Sequence, residues 1–292
     1  IIRIMDIFYK HFGIKKYNIL SKKKSIDKIS NKNKILEYQF ERIKSLLVLS
    51  YNNSIFYKNR FDYVDFNPHQ FKSLDDLSQI PILKRQDINL NLENIHIKNK
   101  SSKVNFSGGS GGNPVKFYQD KEYWEWGELS RIWTYNICNI EQRNKLILWG
   151  SNFDWYSPDS LRGRFINFLK KQIFVNAFGT NEKEFLDQII LAKNKNYKHL
   201  LGYASFINYF TNVVKKNNID FNLKTIQVTG ENLLPNYRKN IEGIFGKIVY
   251  DRYGSREVSI IASTSQKNYL KFEECSFHNY IETIQDSTYG NK

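Results

Sequence analysis

Apolar residues fall in two rhythms along this chain. From Asn33 to Leu49, Ile35, Leu36, Phe40, Ile43, Leu46 and Leu47 share one helical face. From Lys145 onward, short apolar runs alternate with amphipathic stretches. K-L-I-L-W (145–149), I-F-V (173–175), H-L-L-G-Y (199–203), T-I-Q-V-T (225–229) and K-I-V-Y-D (247–251) read as buried-type strands. Between them the helical period predicts helices near 160–170, from Asn181 to about Lys195, from Ser205 to Lys216, and from Pro235 to near Gly246. Before them, Asp120 is placed to cap a long helix running to Ile137, and Ser73 with Asp76 makes a weak capping-box pair ahead of Pro81. A turn is expected at Tyr253-Gly254-Ser255, then antiparallel strands over 257–264 and 268–273. Strands alternating with helices imply an α/β fold, a mainly parallel sheet covered on both faces, with antiparallel strands near the C-terminus.

Composition narrows the function classes. At 292 residues, with 41% hydrophobic and 15% aromatic content, the chain can bury a sizeable core. No apolar run approaches the roughly 20 residues that span a bilayer, and no signal-peptide pattern opens the sequence. Cys138 and Cys275 lie too far apart in sequence to suggest a disulfide or metal framework, so a cytoplasmic setting is expected. The net charge of +15 raises nucleic acid as a partner, but its distribution argues otherwise. Residues 1–44 hold twelve Lys or Arg against four Asp or Glu, a surplus of +8. Residues 1–32 therefore read as a basic, solvated N-terminal arm, with a short amphipathic start (Ile4, Ile7, Phe8, Phe12) and a connector around Lys22. The other 248 residues carry +7 and no RNP-type or helix-turn-helix signature, so nucleic acid is not the expected partner.

Three stretches could carry chemistry. V-N-F-S-G-G-S-G-G-N-P-V-K-F-Y (104–118) places four glycines and two serines between β-prone runs. Backbone N–H groups of such a loop can converge on an anion, with Ser107 and Ser110 as further donors, though a plain Gly/Ser hairpin has the same composition. V-T-G-E-N-L (228–233) and D-R-Y-G-S-R-E (251–257) both fall at strand ends, where open α/β sheets collect ligands. There Tyr253 could stack on a base, and Glu257 could hold Mg²⁺ beside phosphate oxygens.

In order and spacing, these stretches resemble the adenylate-forming ligases, specifically the phenylacetate–coenzyme A ligase branch with its CapK-type capsular-polysaccharide relatives. The resemblance runs from about Ser54 to Glu282 and includes S-I-F-Y-K-N-R-F, L-D-D-L-S-Q-I-P-I-L-K-R-Q-D, L-I-L-W-G and L-L-G-Y-A-S. It implies the large N-terminal domain of that fold over 33–292, a phosphate loop at Ser107, Gly109, Ser110 and Gly112, and an adenine site at Gly230, Glu231, Tyr253 and Gly254. It further implies Mg²⁺ at Glu257, a phosphate or carboxylate donor at Ser255, and an acyl pocket drawing on Trp149, Phe153, Tyr203 and Ala204. The activity implied is ATP-dependent activation of a small carboxylic acid for transfer to a thiol such as coenzyme A, an amine or a hydroxyl, in surface-polysaccharide biosynthesis. Two departures stand out. Gly111 replaces one of two adjacent hydroxyl residues of the loop, and the chain stops at Lys292 without the small C-terminal domain that carries the family's catalytic lysine. It reads as the large domain alone, incomplete for full turnover; a non-catalytic pathway protein keeping the fold is the rival expectation.

Overall fold

The strand Thr225–Thr229 (β6) is buried along its whole length, which a half-solvated strand cannot be, and it lies mid-sheet. A computed structural model describes residues 16–27, 29, 31–97, 102–107, 114–149, 160–176 and 181–283 of the chain. Before β6 come β1 (Ser102–Phe106), β2 (Lys116–Asp120), β3 (Lys145–Trp149), β4 (Gln172–Asn176) and β5 (His199–Tyr203). After it come β7 (Val249–Ser255), β8 (Ser259–Ser263) and β9 (Glu273–Glu274). The main sheet has the order β4-β3-β5-β6-β7-β8-β9. It is parallel from β4 to β7 and antiparallel through β8 and β9. β1 and β2 form a separate antiparallel hairpin.

The helices are α1 (Lys16–Asp27), α2 (Lys32–Asn53), α3 (Ile55–Asp62), α4 (Arg85–Ile95) and α5 (Lys121–Ile137). The crossovers α6 (Leu161–Lys170), α7 (Glu182–Asn194), α8 (Ala204–Lys216) and α9 (Pro235–Phe245) follow. Local chemistry sets several ends. Asp120 Oδ1 accepts from the Tyr123 amide at 2.8 Å, and Asn181 Oδ1 accepts from Glu184 at 2.9 Å. Pro235 opens α9, and Gly246 at φ 59° closes it.

Alternation along the strands splits the core into two layers. Leu200, Ile226, Val228 and Val249 pack with Phe185, Ile189, Ile207, Phe210 and Ile241 from α7, α8 and α9. Leu201 and Tyr250 face the other way, against Tyr135, Cys138 and Ile140 at the end of α5. On that face Gln227 donates to Cys138 Sγ at 3.4 Å. Both cysteines are buried and unpaired. No helix of the described residues is long and apolar enough to cross a membrane.

Three expectations change. Residues 16–27 are not a solvated connector: Ile19 is buried with Trp126 and Leu129, and Lys22 Nζ pairs with Glu125 at 2.9 Å. Residues 1–15 lie outside the described residues. Tyr253, Gly254 and Ser255 stay in β7, with a bulge between Tyr253 and Gly254, and the turn falls at 256–258. Gly254 is needed there because a Cβ would collide with the Ser259 carbonyl of β8. The strand expected over 268–273 shrinks to the two residues of β9, because Ser265 Oγ accepts from the Lys267 and Asn268 amides and turns the chain.

Candidate functional site

The carboxyl ends of β3, β5, β6 and β7 lie side by side in register. Trp149 ends β3 and Tyr203 ends β5, and their rings stack with centroids 4.9 Å apart. The chain leaves β6 through Gly230 at φ 77°, a backbone that costs glycine little. The Tyr203 ring lies directly against that glycine: a Cβ there would sit 2.8 Å from Tyr203 Cε1. Glu231 follows, and its carboxylate accepts from the Ser205 amide at 2.9 Å. Tyr203 offers α8 no side-chain cap, so Glu231 supplies one from the neighbouring strand end. That bond ties the turn after β6 to the start of α8. One oxygen of the exposed Glu231 carboxylate makes that tie, and the backbone of 230–231 lies at the crevice.

At the end of β7, Tyr253 is 60% exposed, with Phe272 edge-on at 6.5 Å between ring centroids. Ser255 pairs with Ser259 across the hairpin and is exposed. Glu257 sits in the 256–258 turn, and its carboxylate has no hydrogen-bond partner among the described residues. Burial and then the Glu257 charge push the Tyr123 phenol up to about 12. Tyr123 therefore stays protonated and donates to the Arg256 carbonyl at 2.6 Å. Gln119 Nε2 donates to the same carbonyl at 2.6 Å, and Arg256 Nη1 reaches back to the Phe106 carbonyl at 3.2 Å. These bonds lock the β1–β2 hairpin onto the turn that carries Glu257.

The root of the glycine stretch is thereby fixed. Ser107 and Val115 bond through Ser107 N–H to Val115 O at 2.8 Å and Val115 N–H to Ser107 Oγ at 2.8 Å. Gly109, Ser110 and Gly112, like Phe153, lie outside the described residues. The structure thus brings Ser107, Tyr253, Gly254, Ser255 and Glu257 to one joint, and Trp149, Tyr203, Gly230 and Glu231 to the adjoining strand ends. Ala204 does not line a surface: it is fully buried in the main core at the first position of α8, where the helix packs on the sheet. Arg256, Gln119 and Tyr123 escaped the sequence reading, because their contacts span more than 130 residues. Among the described residues no group of three or more His, Cys, Asp or Glu could hold a metal ion. A single half-buried carboxylate such as that of Glu257 suits Mg²⁺, which takes one or two carboxylates and completes its shell with phosphate oxygens and water.

The α/β architecture recurs in solved acyl-CoA ligase structures. No family model and no curated protein sequence matches the chain. Solved structures do. The chain is similar to 2-hydroxyisobutyryl-CoA ligase in complex with 2-HIB-AMP and CoA in its thioesterification state, with a TM-score of 0.65 and 16% identity, over 84% of this chain and 54% of that one. The same ligase in its postadenylation state with 2-HIB-AMP aligns at a TM-score of 0.62 and 16% identity, over 82% and 52% of the two chains. Its open conformation with 2-HIB-AMP and CoA gives 0.61 and 16%, over 80% and 57%. At such identity the likeness is one of fold, and the chain spans about half the length of these relatives.

Proposed function

We propose that this chain is the nucleotide-binding part of an adenylate-forming ligase of the phenylacetate–coenzyme A ligase and CapK-type branch. It activates a small carboxylic acid with ATP and Mg²⁺ for transfer to a thiol such as coenzyme A, an amine or a hydroxyl, in surface-polysaccharide biosynthesis. One observation carries the reading: Arg256 joins the root of the glycine loop to the turn bearing Glu257, beside the strand ends that hold Gly230 and Tyr253. The fold shared with a ligase solved around 2-HIB-AMP supports it.

In this reading the substrate carboxylate attacks the α-phosphorus, a new C–O–P bond forms, and the bond to the β-phosphate oxygen breaks to release pyrophosphate. Enzymes of such transfers mostly position the reactants and neutralise charge. Ser107, Gly109, Ser110 and Gly112 cradle the phosphates. The backbone at Gly230 and Glu231 and the open face of Tyr253, with Gly254 beneath, hold the adenine. Ser255 donates to a phosphate or carboxylate oxygen, and Glu257 holds Mg²⁺, which supplies charge neutralisation at those oxygens.

Calorimetry with a non-hydrolysable acyl-AMP mimic tests this. Saturable binding is expected, and Tyr253→Ala should weaken it roughly 5- to 150-fold, the worth of one base–aromatic stack of about 1–3 kcal/mol. Absence of saturable binding, or binding indifferent to both Tyr253→Ala and Glu257→Ala, rejects the assignment.

A further inference from the structure

Arg85, the first residue of α4, turns its side chain away from the helix and donates from Nη2 to Ser107 Oγ at 3.3 Å. That oxygen already accepts from the Val115 amide at 2.8 Å. A serine oxygen has two lone pairs and one hydrogen. With both lone pairs engaged, the Ser107 hydroxyl can act only as a donor, and no described residue accepts from it. The remaining N–H groups of Arg85 are also uncommitted among the described residues. Arg42 pairs with Glu122, Arg60 with Asp87, Arg131 with Glu128 and Arg238 with Glu242, so four of the described arginines are held by carboxylates. Arg85 is exposed and has no carboxylate within ion-pair distance among the described residues. A guanidinium fork beside a hydroxyl that can only donate matches the oxygens of a phosphate, which accept and never donate when ionised. Arg256 adds a second guanidinium at the same hairpin root, through its bond to the Phe106 carbonyl.

We infer that Arg85 and Ser107 form a subsite for the terminal phosphates of a nucleoside triphosphate, and so for the pyrophosphate released from it. This rests on the nucleotide reading above and deepens it: Arg85 becomes a residue that separates tri- from monophosphates.

Calorimetry on the whole chain with ATP, AMP and inorganic pyrophosphate, each with Mg²⁺, is the test. Arg85→Ala should weaken ATP and pyrophosphate roughly ten- to a hundredfold and leave AMP within about twofold, since hydrogen bonds to charged groups are the strong ones. Arg85→Lys should fall between, because lysine keeps the charge and loses the fork. Melting temperature should match the parent in both variants, as the side chain is exposed. Arg85→Ala binding ATP and pyrophosphate as tightly as the parent overturns the subsite. A parent that binds pyrophosphate through Arg85 but neither ATP nor AMP keeps the anion subsite and removes the nucleotide reading. A parent that binds none of the three removes both.

Discussion

Gly230→Ala probes the crevice where its geometry is tightest. Two costs arise there. Alanine must take a left-handed backbone at φ 77°, which costs an L-residue roughly 1–2 kcal/mol. Its Cβ would also lie 2.8 and 2.9 Å from Tyr203 Cε1 and Cδ1, so the ring must move. That ring stacks on Trp149 at 4.9 Å, and an aromatic pair is worth about 0.5–1.5 kcal/mol beyond its buried area. The sum is about 1.5–3.5 kcal/mol. At roughly 2–4 °C per kcal/mol for a domain near this size, the melting temperature should fall by about 3–14 °C. Circular dichroism melts of Gly230→Ala, Tyr203→Ala and the double variant separate the two costs. With the ring removed, only the backbone cost remains, so the double variant should be more stable than additivity predicts by about 0.5–1.5 kcal/mol. An additive cycle would refute the contact, and an unshifted melt for the single variant would refute the strained backbone as well.

Two further outcomes test the scaffold. His199 is fully buried, its Nε2 accepting from the Glu141 amide at 3.3 Å and its Nδ1 bonded to Thr225 Oγ1 at 2.6 Å. Burial holds its pKa down to about 4, against the Glu141 carboxylate 3.8 Å away, which would raise it. Unfolded histidine titrates near 6.5, so the unfolded chain takes up a proton that the native one refuses; stability is full above about pH 6.5 and declines as pH falls towards 4. Urea unfolding at pH 7.5 and pH 5 should show a smaller loss for His199→Gln than for the parent, and equal losses would contradict a neutral buried imidazole. Gln39 on α2 is buried and donates to the Ser276 and Asn279 carbonyls, both at 2.9 Å, tying the N-terminal helices to the C-terminal segment. Gln39→Leu should cost roughly 1–3 kcal/mol through the carbonyls it strands, read as a lower urea midpoint; an unchanged midpoint would dissolve that clamp.

The elements that sequence periodicity located are those whose ends are set locally. Asp120, Asn181, Pro235 and Gly246 act within a turn of the residues they cap, so a linear reading finds them. The parallel strands were legible for a related reason. Leu200 and Leu201 serve opposite layers of one sheet, so both positions must be apolar, and the run stands out. Lys22 was misread because the partner that changes its meaning, Glu125, lies 103 residues away. The strand expected over 268–273 was misplaced because Ser265 Oγ accepts from the Lys267 and Asn268 amides and turns the chain there, leaving Leu270 69% exposed.

At the candidate site the structure gives three of the marked residues surroundings that their local sequence did not show. Tyr253-Gly254-Ser255 was marked by a glycine that usually makes a turn; here the glycine admits the β8 backbone and keeps the segment extended. Glu231 was marked for the adenine site, and one of its carboxylate oxygens accepts from the Ser205 amide. Ser107 was marked as a donor to an anion, and the bonds from Val115 and Arg85 leave donation as its one remaining role. In each case a tertiary contact sets what the residue can do, and all three lie at the carboxyl ends of the strands or at the hairpin root that Arg256 ties to them. Local rules are most often broken where function requires it. The departures at Lys22 and after Ser265 lie elsewhere and concern packing and chain direction, whereas these three change what a strand end or loop root offers to a ligand.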